Sequence, residues 1–535
     1  MGVSPFHEGE RAVQARAGAK DVARFASGFV HDHLPDQHRA FHAGLPFLVV
    51  AGRDGDGRVW ASVLDGPAGF VAVPHPGRVR IAAPPGEGDP LHGALDGGAP
   101  IGILGIELAT RRRNRVNGRV ARDGDALVVD VQQAFGNCPQ YIRPRPVERV
   151  ERSSAPGPVH RTPALTEDQI ARVRRADTFF VATGHPGAEG AAQGMDASHR
   201  GGEPGFVSVA EDGASLRFPD YAGNDFFNTL GNLERDPRAG LLFVDFAAGG
   251  LLHLTGTITV DWTADEAAGA RRHLDMAIEA VIDRPGALSL RWGDASSALR
   301  RLRLVERRAE SIDVASFTFA AEDGTRLPAF RPGQHLPIRV RRVGASALER
   351  SYSLSGAPGA GRYRISVKRA ERGVVSRLLH DEMEEGAAIE VLPPAGDFAA
   401  SDEAAPLVLV SAGIGVTPMV SHLHAEAARP GDRRVWFVHG ARDGARHALA
   451  REVRALVASS PKLSLRVAYS APRDGDVEGR DFDWRGRITP ERILKLVAAE
   501  DAQYLLCGPP AFVSGLAEGL RVGGVDPGRI RSETF

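Results

Sequence analysis

The chain has 535 residues, 43% of them apolar and 25% charged, with a formal net charge of -1. That length gives room for three or four globular domains with their own cores, and the balanced charge excludes a nucleic-acid or membrane-surface footprint. Two cysteines, Cys138 and Cys507, are too few for a disulfide framework, a zinc knuckle or an all-cysteine iron–sulfur site, so no metal site is expected. The apolar run at 404–423 is broken by Gly413, Gly415 and Pro418 and reads as a buried strand rather than a membrane span. Glu8, Glu10 and Asp21 interrupt any apolar core near the N-terminus, so a secretory signal is not expected and the location implied is cytoplasmic.

Residues 1–40 read as an N-terminal helical segment. An internal repeat follows. Ala61-Ser62, Gly69-Phe-Val-Ala-Val73, Pro84, Gly88, Leu95, Gly102-Ile-Leu104 and Gly118-Arg-Val120 recur as Ala197-Ser198, Gly205-Phe-Val-Ser-Val209, Pro219, Gly223, Leu230, Gly240-Leu-Leu242 and Gly256-Thr-Ile258, at an offset of 135 to 138 residues. A period this long marks a duplicated domain rather than a solenoid. Runs such as Phe47-Leu-Val-Val-Ala51, Leu241-Leu-Phe-Val-Asp245 and 252–260, bounded by Gly, Pro and Asp, predict two small β-barrels, at 41–145 and 166–298. Arg143-Pro-Arg-Pro146 and Ala155-Pro-Gly-Pro158 predict a stiff linker over 146–165. Ala268, His273, Met276, Ile278 and Val281 have helical spacing, which predicts a helix from Ala264 to Ile282 capping the second barrel, with His273 a packing residue.

The second copy, through Asp196-Ala-Ser-His-Arg-Gly-Gly202, Gly205-Phe206 and Pro219-Asp-Tyr-Ala-Gly-Asn224, resembles the FMN-binding split barrel of the pyridoxamine 5′-phosphate oxidase family. In that family barrels pair with flavin between them, and the resemblance implies such a pair inside this chain. Copy two keeps Ser198, His199 and Arg200 where copy one has Ser62-Val-Leu64, while Arg111-Arg-Arg-Asn-Arg115 stands where copy two has 249–253. A single composite FMN site is expected, with Ser198, His199, Arg200 and Asn224 from copy two and Arg113 and Arg115 from copy one, because guanidinium forks match phosphate oxygens. The other reading makes the arginines a solvated face and the pair a folded scaffold, since 219–224 carries no basic residue.

From 299 to 400 the runs Ser316-Phe-Thr-Phe319, Leu336-Pro-Ile-Arg-Val340 and Tyr363-Arg-Ile-Ser-Val-Lys368 predict an antiparallel β-barrel, which the family resemblance carried by the motifs that follow implies is FAD-binding. From 401 to 535, Pro406-Leu-Val-Leu-Val-Ser411, Arg434-Val-Trp-Phe-Val-His439 and Gln503-Tyr-Leu-Leu-Cys507 alternate with helices such as 448–457, predicting an α/β doubly wound NAD(P)-binding domain. Five motifs run in order: Arg350-Ser-Tyr-Ser353, Gly373-Val-Val-Ser376, Pro394-Ala-Gly-Asp-Phe398, Gly413-Ile-Gly-Val-Thr-Pro418 and Cys507-Gly-Pro-Pro510, with Glu533-Thr-Phe535 at the end.

This set resembles the reductase module of flavohaemoglobins and the wider ferredoxin-NADP reductase family. The resemblance implies that Arg350 pairs with the FAD pyrophosphate, Tyr352 packs on the isoalloxazine and Ser353 faces N5. Gly373, Val375 and Ser376 would receive phosphate at the start of a helix over 377–381, Ser376 being alternatively a simple N-cap. Gly413 and Gly415 would let the backbone approach the NAD(P)H pyrophosphate, with Thr417, Pro418, Cys507, Gly508 and Pro509 placing the nicotinamide. Cys507 alone also reads as a small buried apolar residue. Glu533 and Phe535 would form the C-terminal flavin cover. Arg442 with Asp443 and Arg473 with Asp474 leave NADH and NADPH both open.

The function expected is an NAD(P)H-dependent flavin oxidoreductase passing hydride to FAD and electrons onward to FMN or a substrate at the split-barrel pair. A reductase serving a separate redox protein, with the barrels as a docking module, is the alternative. Partners are then a small-molecule acceptor or a redox protein, the chain being a monomer or homodimer.

Overall fold

The computed structural model describes residues 4–19, 22, 26, 30–136, 140–151, 157–185, 187, 190, 192–263, 270–293, 299–340, 348–371, 373–401, 405–497 and 501–534. Its contacts divide it into two compact units, Met1–Ser297 and Ala298–Phe535.

The first unit begins with α1 (Glu8–Arg16), whose start is closed by a capping box between His7 and Glu10, and α2 (Asp36–Ala43). Strands β1 (Phe47–Arg53), β2 (Val59–Asp65), β3 (Val71–His75), β4 (Arg78–Ile81), β5 (Pro100–Glu107), β6 (Arg112–Asp123) and β7 (Ala126–Gly136) form an antiparallel sheet of order β2-β1-β5-β6-β7-β4-β3. Short strands β8 (Val147–Arg149) and β9 (His160–Thr162) and helix α3 (Glu167–Arg175) lead to the second copy. There β10 (Thr178–His185), β11 (Gly194–Gly201), β12 (Ser208–Val209), β13 (Ser215–Asp220), β14 (Arg238–Asp245), β15 (Gly250–Asp261) and β16 (Arg272–Arg284) follow the order β11-β10-β14-β15-β16-β13-β12. Position by position this is the order of the first copy. The repeat extends to irregularities: the ladder slips at Asn117/Gly118 between β6 and β7 and at Thr255/Gly256 between β15 and β16. Helix α4 (Asn228–Leu233) and strand β17 (Leu290–Trp292) complete the unit.

Alternation along β1 and β10 explains how the copies meet. Leu48 and Val50 face the core of copy one, and Phe179 and Val181 that of copy two. Their neighbours Phe47, Val49, Phe180 and Ala182 face a third core to which both copies contribute. Full burial of a Val, Leu or Phe is worth about 1.5–3 kcal/mol, so this shared core contributes on the order of 20 kcal/mol and makes the two copies one folded body. The seam needs glycine at two equivalent places. A Cβ on Gly102 would lie 2.7 Å from Asp196 Cα, and one on Gly240 would lie 2.7 Å from Trp60 Cα.

The helix expected from Ala264 to Ile282 is not formed: 264–269 lie outside the described residues, and Arg272–Arg284 is β16. Leu274 and Met276 alternate into the core of copy two while β16 pairs with β15 along an eleven-pair ladder. That pairing overrides a weak helical spacing. His273 lies on this strand, half-buried, opposite Asp261 and Pro219.

In the second unit, β18 (Arg300–Ala309), β19 (Val314–Ala321), β20 (His335–Val340), β21 (Leu348–Ser353), β22 (Tyr363–Lys368) and β23 (Ala388–Val391) make an antiparallel sheet of order β21-β20-β23-β18-β19-β22. A bridge between Leu354 and Ile365 joins its two edges, closing a barrel around Phe317, Phe319, Leu336 and Ile338. Helix α5 is short (Val374–Arg377), and the predicted helix at 377–381 is instead a π-helical turn, Leu378–Glu382.

Strands β24 (Leu407–Ala412), β25 (Val435–Ala441), β26 (Leu463–Tyr469), β27 (Trp484–Arg485), β28 (Gln503–Gly508) and β29 (Ile530–Thr534) form a parallel sheet of order β27-β26-β25-β24-β28-β29. Helices α6 (Val416–Ala428) and α7 (Ala450–Ala458) cover one face, α8 (Pro490–Leu496) and α9 (Pro510–Val522) the other. Along β24, Leu407 and Leu409 meet the first pair, Val408 and Val410 the second, so the strand is apolar throughout. The barrel and sheet are tied by Glu452 of α7, which accepts two 2.8 Å bonds from Arg364 of β22 and a 3.1 Å bond from Arg308 of β18.

Candidate functional site

Two sites emerge, one in each unit. In the second unit the order reverses beside β24, the place where an open parallel sheet leaves a crevice beyond its strand ends. The turn after β24 carries the glycine motif, and its glycines differ in role. Gly413 has φ +58 and open space where a Cβ would project, whereas a Cβ on Gly415 would lie 2.6 Å from Cys507 C and 2.7 Å from Gly508 N. Gly413 thus leaves room for a ligand, and Gly415 lets the turn pack on the end of β28. Thr417 is buried and donates to Ile414 O at 3.0 Å, bracing the turn, with Pro418 in the first turn of α6. Cys507 is fully buried at the end of β28, its thiol pushed well up by burial. Gly508 (φ +152) and Pro509 then turn the chain into α9.

Across the parallel ladder from Cys507 stands Glu533 of β29. Its Oε2 is buried without a hydrogen-bond partner among the described residues, and burial, then the charge of Asp397, pushes its carboxyl up to about 8. Asp397 belongs to the Pro394-Ala-Gly-Asp-Phe398 motif, whose Ala395 pairs with His335, itself opposite Ser353 in the β20–β21 ladder. Ser353, His335 and Ala395 thus pair along one set of strands, and Glu533, Cys507 and Gly415 meet at the end of β28, with the Asp397 charge acting on Glu533. Ser353 is buried, and its Oγ has no hydrogen-bond partner among the described residues. Such an orphaned hydroxyl fits an acceptor supplied by a flavin ring. Tyr352 beside it is half-buried, its phenol pushed up to about 12 by burial. Arg350, two residues back, projects its guanidinium outward and donates to Glu349 O at 2.7 Å.

Gly373 and Val375 flank the start of α5. Ser376 is not the N-cap: it lies inside the turn, donates to Gly373 O at 3.2 Å and accepts from Ala370 N at 3.3 Å, so its hydroxyl holds the 370–376 loop. Phe535 lies outside the described residues.

In the first unit, Arg113, Arg115, Ser198, His199, Arg200 and Asn224 line one cavity of about 110 Å³ at the junction of the two copies. Arg115 Nη1 donates to Asp196 (3.1 Å) and Asn228 (2.9 Å), and its Nη2 donates to Ser198 Oγ at 2.6 Å. All three partners belong to copy two, so Arg115 pins the copies together. His199 is buried among Arg113, Arg200, Arg111 and Arg115. Desolvation and these charges hold its imidazole well below the usual histidine range, so the neutral ring's Nδ1 accepts from Arg113 Nη1 at 3.2 Å.

Arg272 of β16 also lines this cavity, at an element the sequence reading took for a helix. It stacks on Phe227 and Trp262, its Nε lies 3.1 Å from Asp220 Oδ2, and its buried Nη1 has no hydrogen-bond partner among the described residues. Arg200 Nε is likewise buried without one. Arginine at a strand position beside Leu274 and Met276 was the available signal. The wall is strained as well. Tyr141, Asp225 and Phe227, three of the five described non-glycine residues with positive φ, sit on it at φ 64, 58 and 60.

The equivalent cavity of copy one, about 750 Å³, is lined by Val63, Leu64 and the 84–89 segment. There Asp89 accepts 2.5 Å bonds from Ser62 and from Arg284, so the chain supplies its own carboxylate. No helix among the described residues is long and apolar enough to cross a membrane.

Residues 301–399 match the oxidoreductase FAD-binding domain family and residues 409–518 the oxidoreductase NAD-binding domain family. The flavohemoprotein of Chromobacterium violaceum is 39% identical over 259 residues, covering 46% of this chain and 64% of the relative. That of Bordetella pertussis is 38% identical over 242 residues, covering 44% and 60%. A solved structure, the flavohem-like FAD/NAD-binding domain of nitric oxide dioxygenase from Vibrio cholerae O1 biovar El Tor, is 33% identical, with a TM-score of 0.40 and 44% of this chain and 98% of that chain covered. The chain thus spans under two thirds of the length of the curated relatives it matches.

Proposed function

We propose that the C-terminal half, an NAD(P)H-dependent FAD oxidoreductase module matching the flavohemoprotein reductase, serves an electron acceptor held in the cavity between the two N-terminal copies. FAD, when bound, supplies the chemistry that turns hydride from NAD(P)H into electrons for an acceptor. The protein's own share is orientation. Tyr352 offers an aromatic wall for a flat ring and Ser353 an unspent hydroxyl, while Gly413 leaves the approach to the sheet edge open. Glu533, with its carboxyl held protonated up to about pH 8, presents a neutral group beside Cys507.

The acceptor favoured is FMN, or another small oxyanion-bearing redox compound, in a pair of split barrels. One observation carries this reading: Arg113, Arg200 and Arg272 converge with His199 on one cavity, and buried guanidinium nitrogens of Arg200 and Arg272 have no hydrogen-bond partner among the described residues. A buried donor in that state costs about 1–3 kcal/mol, which an anionic ligand would recover. In a folded scaffold without a ligand that cost would have no return.

The test is to denature the full chain, separate the released flavins and count FAD and FMN per chain, in the wild type and in Arg272→Gln. About one FMN beside one FAD, with FMN lost selectively from the variant, is the expected result. FAD alone, with no FMN bound on titration, would favour the reading in which the N-terminal unit docks a separate redox protein.

A further inference from the structure

The pyrophosphate-binding turn follows the first strand of the parallel sheet, and in this architecture the adenosine ribose lies over the neighbouring strand ends, where an acidic side chain selects NADH and an arginine the 2′-phosphate of NADPH. Here those ends are the loops after β25 and β26, which carry Arg442-Asp-Gly-Ala-Arg446 and Arg473-Asp474. The composition of these loops leaves both coenzymes open; the geometry does not.

Asp443 is buried, its side chain 3% exposed. Its Oδ1 accepts from Arg446 N at 3.2 Å, and its Oδ2 accepts from Arg446 Nη1 at 2.9 Å and lies 3.3 Å from Arg473 Nε. A carboxylate enclosed in this way, with three of its roughly four acceptor sites taken, is out of reach of a ribose hydroxyl. The arginines it holds are presented differently. Arg473 is 52% exposed, and its terminal amino groups make no hydrogen bond among the described residues; Arg446 is 35% exposed. Asp476 Oδ2 accepts from Arg473 N at 2.8 Å and from Gly444 N at 3.2 Å, which fastens the two loops to each other. Asp443 and Asp476 therefore act as a frame that orients two guanidinium groups outward from adjacent strand ends.

We infer that Arg473 and Arg446 form a clamp for the 2′-phosphate and that this reductase selects NADPH. Planar guanidinium groups held by one buried carboxylate, Asp443, lose little freedom on meeting a phosphate, which a guanidinium can bond with two N–H groups. Asp474, exposed on the same turn, is the one carboxylate at this corner that faces solvent without a bond to either arginine among the described residues. It makes the opposite prediction testable.

The experiment uses the full chain loaded with FAD. Steady-state oxidation of NADPH and NADH with ferricyanide as acceptor gives kcat/KM for each, and displacement titration gives the affinities of 2′,5′-ADP and 5′-AMP without turnover. The wild type is expected to prefer NADPH at least tenfold and to bind 2′,5′-ADP more tightly than 5′-AMP. In Arg473→Ala the NADPH:NADH ratio falls tenfold to a hundredfold, the loss expected for a charged hydrogen bond, and it falls through KM rather than kcat. Arg473→Lys keeps the charge without the fork and recovers part of the preference. A wild-type preference for NADH, an equal affinity for the two adenosine phosphates, or a loss of NADH activity in Asp474→Ala would overturn the inference. Flavin content and thermal midpoint of each variant distinguish a lost contact from a lost fold, and because 2′,5′-ADP binding needs no acceptor, failure here leaves the acceptor-site proposal untouched.

Discussion

Gly413 and Gly415 stand two residues apart in one motif, and the structure assigns them opposite sensitivities to the same change. A Cβ at position 415 would meet Cys507 C at 2.6 Å and Gly508 N at 2.7 Å, where ordinary contact begins near 3.4 Å. The neighbours are backbone at the end of β28, the nearest being Cys507 O at 2.4 Å, so the turn and β28 would have to separate by about 1 Å, an overpacking cost of about 1–3 kcal/mol. For a unit of this size each kcal/mol lowers the midpoint by about 2–4 °C, so Gly415→Ala should lower the thermal midpoint of the C-terminal unit by about 2–12 °C. At position 413 a Cβ meets nothing within 4 Å. Gly413→Ala then costs only the left-handed backbone at φ +58, about 1–2 kcal/mol, but it places a methyl group in the open space before the turn. Its signature should be a KM for NAD(P)H raised about tenfold with kcat little changed. Differential scanning calorimetry and steady-state kinetics on both variants, each saturated with FAD, separate the two effects. A Gly415→Ala protein as stable as wild type, or a Gly413→Ala protein with an unaltered KM, would refute the division of roles.

Glu533 has a folded-state carboxyl pKa of about 8 against an ordinary 4.5, so the folded state holds its proton longer than the unfolded chain. Stability from this group is complete below about pH 4.5 and declines as pH rises toward 8; Glu533→Gln should therefore gain thermal stability over wild type at pH 8 and not at pH 4.5, read as the difference in midpoint across a pH series. Asp89→Asn leaves the Arg284 charge buried beside Ser62 and should destabilise the N-terminal unit by about 3–5 kcal/mol in chemical denaturation; a loss under 1 kcal/mol would mean the pair is not closed in solution. Gly102→Ala and Gly240→Ala meet equivalent backbone at 2.7 Å across the seam, so each should cost about 1–3 kcal/mol, and markedly unequal losses would count against the internal symmetry.

Much of the reductase half was legible because its signals are local. Strand β24 reads as an apolar run, its turn as Gly413-Ile-Gly415, and the end of β28 as Cys507-Gly508, each within a few residues of sequence. The repeat was legible for a different reason: duplicated residues keep their spacing, down to the matching ladder slips at Gly118 and Gly256. What failed was reading period from a weak pattern. Strand β16 carries Arg272, His273, Asp275 and Glu279 among its apolar residues, which blurs the alternation of Leu274 and Met276, and only its pairing with β13 and β15 settles it as a strand.

The sequence by itself determined the two coenzyme-binding modules, their order, and the recurring spacing of the N-terminal half, because propensity, glycine placement and motif spacing are properties of short segments. Tertiary structure decided what those residues do to one another. It gave Arg115 to the seam through Asp196, Ser198 and Asn228, brought Arg272 to the cavity, paired Arg284 with Asp89 in the copy-one cavity, and enclosed Asp443 between two arginines. Each of these depends on burial and on partners far away in the chain, and desolvation and pairing are properties of the packed molecule that no window of sequence contains.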